Sequence, residues 1–527
     1  MKKLFLILFL PFNLIAQDYY SFNHAFYDSF SKELHSYENT SHTAFKPFLS
    51  LKNNAKLTMI NTRVGVLNRF LNDNFINIKT EDFKLSINPL FELQLGADEI
   101  GRTYTNTRAF EVKGQIGDNV SLYSSFYENQ AIVPMYLEDY IWSQDENGEI
   151  DFVLPGQGVS RVSSWDRTTR DLDYAMANGH VSFKASNHFN FQFGHGKHFI
   201  GDGYRSMLLS DNTFNYPYLK ITTDVWKVSY VNLYSSYQDL RDEFEMAGIY
   251  RKKFSTIHYL SYNVNKRLNI GLFEAIVWAQ DTLGRGFDVN YLNPIIFYRP
   301  IEFSLGSRGG NALMGVTAKY KLTDKSHAYG QFIIDEFKIS EIRAGKGWWA
   351  NKYAGQIGFK VFDVLGIDNL FFQTEFNASR PYMYSHHKPL QSYTHYGQPL
   401  AHPLGSSFYE NISIARYRYK RYYTELKTLW AKKGAAIPDS TTNFGFNPLQ
   451  SYSDNRIEYG NVIAQGNTTY LKMIDFKVGI LLNPHTNMKI EFGVLNRKTT
   501  STYEFDTNTN HVYIAFKTDL RNLYYDF

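Results

Sequence analysis

Over most of its length the chain alternates apolar with polar or small side chains, one position in two. "FELQL" sets Phe91, Leu93 and Leu95 against Glu92 and Gln94, and "AFEVKGQI" sets Phe110, Val112 and Ile116 against Glu111, Lys113 and Gln115. "FNFQF" does the same with Phe189, Phe191 and Phe193 against Asn190 and Gln192, and "VTAKYKL", "YAGQIGFKV", "LFFQTEF", "MKIEFGV" and "VYIAFK" follow. A period of two is the geometry of a strand with one apolar and one polar face. About eighteen such segments run from 83–95 to 510–518.

The connections between them alternate in length. Gaps at 96–106, 128–179, 196–215, 238–253, 279–311, 339–352, 378–406, 432–467 and 498–509 are long; those at 117–118, 186–188, 223–225, 265–267, 323–325, 363–368, 419–420 and 483–485 are short. Soluble sandwiches and propellers have no reason to keep every second loop tight. A transmembrane antiparallel barrel does, with short periplasmic turns and long external loops. Hydrocarbon cannot hydrogen-bond backbone amides, so the sheet must close on itself, and 16–18 strands enclose a wide polar lumen. The expected fold is therefore all-β, a transmembrane antiparallel β-barrel of about eighteen strands. An even strand number returns both ends of the chain to the periplasmic rim.

The opening "MKKLFLILFLPFNLIAQDYY" has two lysines, an apolar run and then polar residues, the layout of a secretory signal peptide over 1–16 with cleavage expected after Ala16. No later segment offers the roughly 18 consecutive apolar residues of a spanning helix. Residues 17–80 are expected to form a periplasmic N-terminal segment, with a short helix around Phe22–Leu34, and 81–527 the barrel. The chain ends "RNLYYDF", which places Phe527, Tyr525 and Leu523 on one strand parity, like the aromatic-terminated signal read by outer-membrane assembly machinery.

Composition agrees with a barrel of the Gram-negative outer membrane. Removing Lys2 and Lys3 leaves 53 basic against 51 acidic side chains, so there is no global basic field for nucleic acid, and there is no cysteine. Aromatic residues make up 17% of the chain, with 40 Tyr and 42 Phe, which suits interfacial girdles, although a sugar-binding all-β enzyme is aromatic-rich too. "RYRYKRYY", Arg416 to Tyr423, resembles a nucleic-acid patch. Its tight turn instead joins two strands, with Arg416 and Arg418 on the face opposite Tyr417 and Tyr419.

The densest chemistry lies in "GHGKHFIGDGYRSMLLSDN", Gly194 to Asn212, inside a long gap. A phosphate loop needs GK[ST] between a strand and a helix, and "GKH" here leads into another strand. His195, His198 and Asp202 lack a spacing that aims them at one metal ion. Gly201 and Gly203 are expected to take positive φ in a folded loop, and Asp202, Arg205 and Asp211 to pair across the lumen.

"GHGKHFIGDGYRSMLLSDNTFNYPYLKI", "YLNPIIFYRPIEFSLGS", "GNALMG", "QPLAHPLGSSF" and "NLYYDF" together resemble the capsule-assembly Wzi family of outer-membrane proteins, especially its RemB-like branch from gliding bacteria. The resemblance runs from about residue 105 to the end. It implies an eighteen-stranded barrel with periplasmic helical elements that holds exported polysaccharide at the cell surface without chemistry, and it carries over no individual sugar contact.

Glycan contacts are instead sought where stacking rings meet charges: Lys197, Tyr204 and Arg205, Arg299 in "FYRP", Lys346, Trp348 and Trp349 in "GKGWW", and His402 in "LAHPLG". For each, the alternative is that it fastens a loop into the lumen. The expected function is a non-enzymatic barrel that anchors surface polysaccharide and serves gliding motility or adhesion. Its partners are surface polysaccharide, outer-membrane lipid, the assembly machinery through Phe527, and periplasmic or motility proteins, with no cofactor, metal or nucleic acid. A solute-specific channel is the alternative: long loops such as 128–179 and 279–311 are expected to occlude the mouth of a polysaccharide holder and to leave that of a channel open. A glycan-processing enzyme needs two carboxylates about 5–10 Å apart, and Asp202 with Asp211 is the pair to check.

Overall fold

The computed structural model describes residues 19, 21–48, 65–146, 152–162, 170–241, 245–246, 249–280, 286–295 and 310–527. The expected leader and Arg299 lie outside them. Eighteen antiparallel strands close into a barrel. They are β1 Phe83–Ala97, β2 Arg102–Ile116, β3 Val120–Ile132, β4 Leu172–Lys184, β5 Phe189–Gly196 and β6 Tyr216–Val225. Then follow β7 Val228–Gln238, β8 Lys252–Asn263, β9 Leu268–Ala279, β10 Asn311–Thr323, β11 Ser326–Glu336 and β12 Lys352–Phe362. The last third is β13 Leu370–Ser379, β14 Phe408–Tyr419, β15 Tyr422–Lys433, β16 Thr469–Asn483, β17 Met488–Ser501 and β18 Thr507–Thr518. The seam is β18 on β1, from Val512 opposite Ala97 to Lys517 opposite Glu92, and the short strand Ile76–Lys79 extends it along β1. Closure satisfies the ladder all round, as a wall facing hydrocarbon requires.

Each segment of period two became a strand, with its apolar face outward. Leu93, Leu95, Phe183, Phe193, Ile357, Ile474 and Ile514 are exposed on the outside, while Glu111, Gln192 and Asn377 are buried inside. Two gaps read as long are tight turns, at 98–101 and 502–506. The polar runs "TYTNT" and "TNTNH" that suggested loops extend β2 and β18, because threonine is a good strand former whatever its polarity. The expected girdle also needs correcting for tyrosine. Tyr417, Tyr419 and Tyr422 do face outward at a turn, but Tyr216, Tyr237, Tyr259, Tyr384 and Tyr393 are buried inside. A ring with a hydroxyl fills volume and still finds a hydrogen bond in a polar lumen.

Several luminal tyrosines lie directly across the ladder from glycine, among them Tyr329 opposite Gly358, Tyr423 opposite Gly479 and Tyr513 opposite Gly493. A Cβ at any of these glycines would collide with the facing tyrosine. The rings therefore lie flat along the wall.

The lumen is occupied by the chain itself. Helix α1, His24–Leu34, is capped by the Asn23 side chain and sits at the short-turn end. There Lys32 pairs with Asp363 at 2.6 Å, Tyr37 donates to the Leu322 carbonyl at 2.6 Å and Asp28 pairs with Arg416. A second helix, α2 (Val66–Asn72), rests on the turn between β16 and β17, whose Asn483 donates to the Phe70 carbonyl. From the opposite rim, α3 (Met135–Glu146) packs with the 152–154 segment, Trp142 lying 4.7 Å from Phe152. α4 (Ile339–Ala344) stays on that rim. No helix among the described residues is long and apolar enough to cross a membrane.

The carboxyl end differs most from expectation. Thr518 returns to the short-turn rim, but residues 519–527 are not a strand; they turn back into the lumen. Asn23 donates to Asp519 at one end of this tail, and Tyr136 of α3 donates to the Tyr525 carbonyl at the other. Phe527 is buried against Tyr140, and Arg497 donates to its carbonyl. Phe527 is therefore neither a strand terminus nor at the short-turn rim, because Asp526 and the tyrosines beside it find partners inside.

The loop after β9 also departs from expectation. Its described part, residues 286–295, does not cover the mouth but lies against the outside of β7–β9. Tyr291 stacks on Trp278 at 4.1 Å and Phe287 packs at 5.0 Å, both against the outward face. Tyr230 and Asn232 donate to the Pro294 carbonyl, Tyr234 to Leu292 and Thr256 to Tyr291. Under this strap runs a polar row: Asn232 faces His258 and His258 faces Glu274 across adjacent strands.

Candidate functional site

The four glycan candidates in the folded-in loops divide between the lumen's centre and its edge. Strands β13 and β14 point Glu375 and Glu410 inward, and the loop 197–215 descends onto them. Glu375 accepts from the Tyr204 N–H at 2.8 Å and the Arg205 N–H at 2.9 Å. The Arg205 guanidinium, 0% exposed, pairs with Glu410 at 3.1 Å and Asp526 at 2.9 Å, and donates to the Asp526 carbonyl at 2.6 Å. His402 Nε2 meets the other Glu410 oxygen at 2.7 Å, and its ring stacks on Phe408. Tyr204 donates to Asp526 at 2.6 Å, which Lys427 also holds at 2.6 Å.

Burial opposes ionisation of Asp526, but Arg205 and Lys427 outweigh it and hold the carboxyl below the usual carboxylate range. Burial likewise pushes the His402 imidazole down, with Glu410 only partly offsetting it. Tyr204, Arg205 and His402 thus converge on one network that locks loop and tail together, and a glycan could reach them only by displacing the tail. Lys197 stands apart, donating to the Gly156 carbonyl at 2.5 Å.

The other luminal expectations fall in the same region. Asp202 accepts from Thr43 at 2.6 Å and lies 3.7 Å from Lys319; Asp211 accepts from Asn522 at 2.8 Å and Tyr524 at 2.7 Å. These carboxylates bind different segments and line different small cavities, so they do not form a facing pair. His195 meets the Ala177 carbonyl and His198 the Tyr216 hydroxyl. Gly201 has φ 150°, as expected. Gly203 does not take positive φ; a Cβ there would meet Glu375 Oε2 at 2.7 Å, so close approach is what demands glycine.

Beside Asp202, the N-terminal segment inserts Lys46, which donates to the Gly201 carbonyl. Burial pushes this ammonium down to about 7, Asp202 offsetting only part. The undocked side chain titrates near 10.4. Between those values the undocked segment binds a proton that the docked one does not, so docking strengthens as pH rises from about 7 to about 10. A spin label on Ser36→Cys, clean in a chain without cysteine, is expected to be more mobile at pH 6.5 than at pH 9.5. Lys46→Met is expected to abolish the difference.

Lys346, Trp348 and Trp349 come together on the long-loop rim. Gly345 and Gly347, both at φ 65°, turn the chain so that 346–349 pairs with 458–461. Gly460 donates to the Lys346 carbonyl, Asn461 to Gly347, and Trp349 to Glu458. Trp349 is buried between the Arg456 guanidinium, 4.2 Å from its ring, and Tyr452. Trp348 is half-buried, its indole donating to Glu458 at 3.0 Å. Lys346 is exposed and lines a groove of about 350 Å³ with Glu341, Asn351, Tyr353, Arg380 and Asn461. Sequence reasoning missed Tyr353 and Arg380, and also Glu375, Glu410 and Lys427, although the inward parity of their strands marked all but Arg380 and Tyr353 as luminal.

No family model and no curated relative matches the chain. Among solved structures it is similar to Wzi of Escherichia coli, described as an outer-membrane protein involved in group 1 capsule assembly and a carbohydrate-binding β-barrel. Identity is 12%, over 81% of this chain and 84% of that one, with a TM-score of 0.47. It is also similar to OprD of Pseudomonas aeruginosa, at 8% identity over 82% and 94% with a TM-score of 0.42. OpdK of the same organism, solved with vanillate, matches at 7% identity over 83% and 98% with a TM-score of 0.45. Likeness this distant decides nothing about ligand or role.

Proposed function

We propose that the protein is a non-enzymatic outer-membrane barrel that holds surface polysaccharide at its long-loop rim, the short-turn rim and N-terminal segment facing the periplasm. The observation that carries this reading is the occupied lumen: a tail, a helix and folded-in loops are fastened through its centre, which suits a holder rather than a conduit. The motif resemblance to the Wzi family supports polysaccharide as the ligand, and its RemB-like branch supports service in gliding motility or adhesion. Lys346 and Trp348, with the groove beside them, are the glycan contacts in this reading, one supplying charge and the other a ring for stacking.

Truncating a stacked tryptophan costs about 2 kcal/mol, roughly thirtyfold in affinity. Lys346→Ala with Trp348→Ala is therefore expected to strip glycan staining from cells while leaving the heat-resistant gel mobility of the barrel unchanged. Full retention of glycan by the double variant would overturn the rim assignment. Wild-type protein in liposomes is expected to conduct no ions; steady open-channel currents would favour a solute channel instead.

A further inference from the structure

Among the described residues, the filling of the lumen still leaves a sizeable space. Against the inner wall of β13–β18, on the short-turn side of the tail, lies a cavity of about 310 Å³, at the lower end of small-ligand sites. Most charges around it are paired. Lys477 lies 2.9 Å from Asp475, Lys489 2.6 Å from Asp519, Lys517 2.9 Å from Glu491 and Lys427 2.6 Å from Asp526. Arg416 holds Asp28 of α1 and Glu425.

Arg418 is the exception. It occupies the last inward position of β14 before the turn at 420–421, lines the cavity, and makes no ion pair or side-chain hydrogen bond among the described residues. Arg521 lines the same space with only neutral acceptors, Gln157 at 2.9 Å and Asn129 at 3.3 Å, its guanidinium 4.2 Å from the Tyr127 ring. Glu92 is the one lining carboxylate outside an ion pair among the described residues. Two guanidinium groups thus face one carboxylate in a half-enclosed space, with Tyr204, Tyr423 and Tyr524 as flat walls.

We infer that this cavity binds an anionic sugar unit, a ring bearing a carboxylate or phosphate, with Arg418 making the forked contact that guanidinium offers to such oxyanions. The sugar part rests on the glycan-holding reading; the oxyanion part rests on the cavity alone. The site faces the short-turn rim, away from the groove at Lys346, and would give the protein a second hold on an acidic chain from the opposite side.

The test is calorimetric titration of the full-length protein in detergent with glucuronate, glucose 6-phosphate, glucose and inorganic phosphate. Glucuronate or glucose 6-phosphate is expected to bind, glucose not, and binding to weaken as salt rises. Arg418→Gln is expected to weaken the anion at least tenfold and Arg418→Lys to recover part of it. Lys346→Ala is expected to change nothing here, so a failure of the rim assignment is distinguishable from a failure of this site. Binding by Arg418→Gln equal to wild type, absence of binding by either charged sugar, or inorganic phosphate binding as tightly as the sugar phosphate would overturn the inference.

Discussion

Replacing Arg205 by methionine is expected to destabilise the folded barrel by about 3–5 kcal/mol, the cost of leaving buried carboxylates without their cation. The guanidinium is fully buried, and Glu410, Asp526 and the Asp526 carbonyl all converge on it. Methionine fills much of the volume but donates nothing, so the penalty falls on the acids. The tail is the part free to respond, since 519–527 is held by side chains rather than by a strand ladder. Urea midpoints in lipid vesicles and protease cleavage within the tail report the two effects. Because removing a whole charged set costs far less than breaking it, Arg205→Met with Glu410→Gln and Asp526→Asn is expected to recover most of the loss. An unchanged midpoint in the single variant would show that the network holds nothing together.

Trp278→Ala is the second large effect, for a different reason. Trp278 is the platform for Tyr291 and Phe287, and truncating a buried tryptophan typically costs about 3–5 kcal/mol. The strap then loses its seat, and the outward row of Asn232, Thr256, His258 and Glu274 is left facing hydrocarbon, where charged side chains are unfavourable. The strap's carbonyls lose in turn the wall donors that satisfy them. Val289, 72% exposed, offers the readout. A fluorophore on Val289→Cys is expected to be quenched by brominated lipid in the parent protein and not in Trp278→Ala. Equal quenching in both would mean that the strap is held by something other than this aromatic seat.

Much of this architecture was legible in the sequence, because a wall between two solvents writes its geometry at every second position. All eighteen strands, and the inward aim of Arg416 against the outward aim of Tyr417, follow from parity. What parity could not reveal is where non-strand chain goes. "RNLYYDF" alternates as well as many strands do, yet it folds inward because Asp526 meets Arg205 and Lys427 there, residues more than three hundred and nearly one hundred positions away. The row under the strap was hidden for the opposite reason: Asn232, His258 and Glu274 sit at outward positions, where polar side chains make sense only once a covering segment is known. Arg205 was legible as a charge in the right loop; its burial was not, since burial depends on the tail and the loop at 380–407 arriving from elsewhere.

The tyrosine rings laid over Gly358, Gly479 and Gly493 settle how wide the cylinder is inside. Strand number fixes the diameter of the backbone, but the usable bore depends on whether large inward rings stand upright or recline. Reclining rings leave a gauge wide enough for a stretch of backbone to be laid down the axis, with its own side chains reaching the wall. The same eighteen staves could thus serve as a pipe or as a solid post, and here three glycines help to make room for the timber.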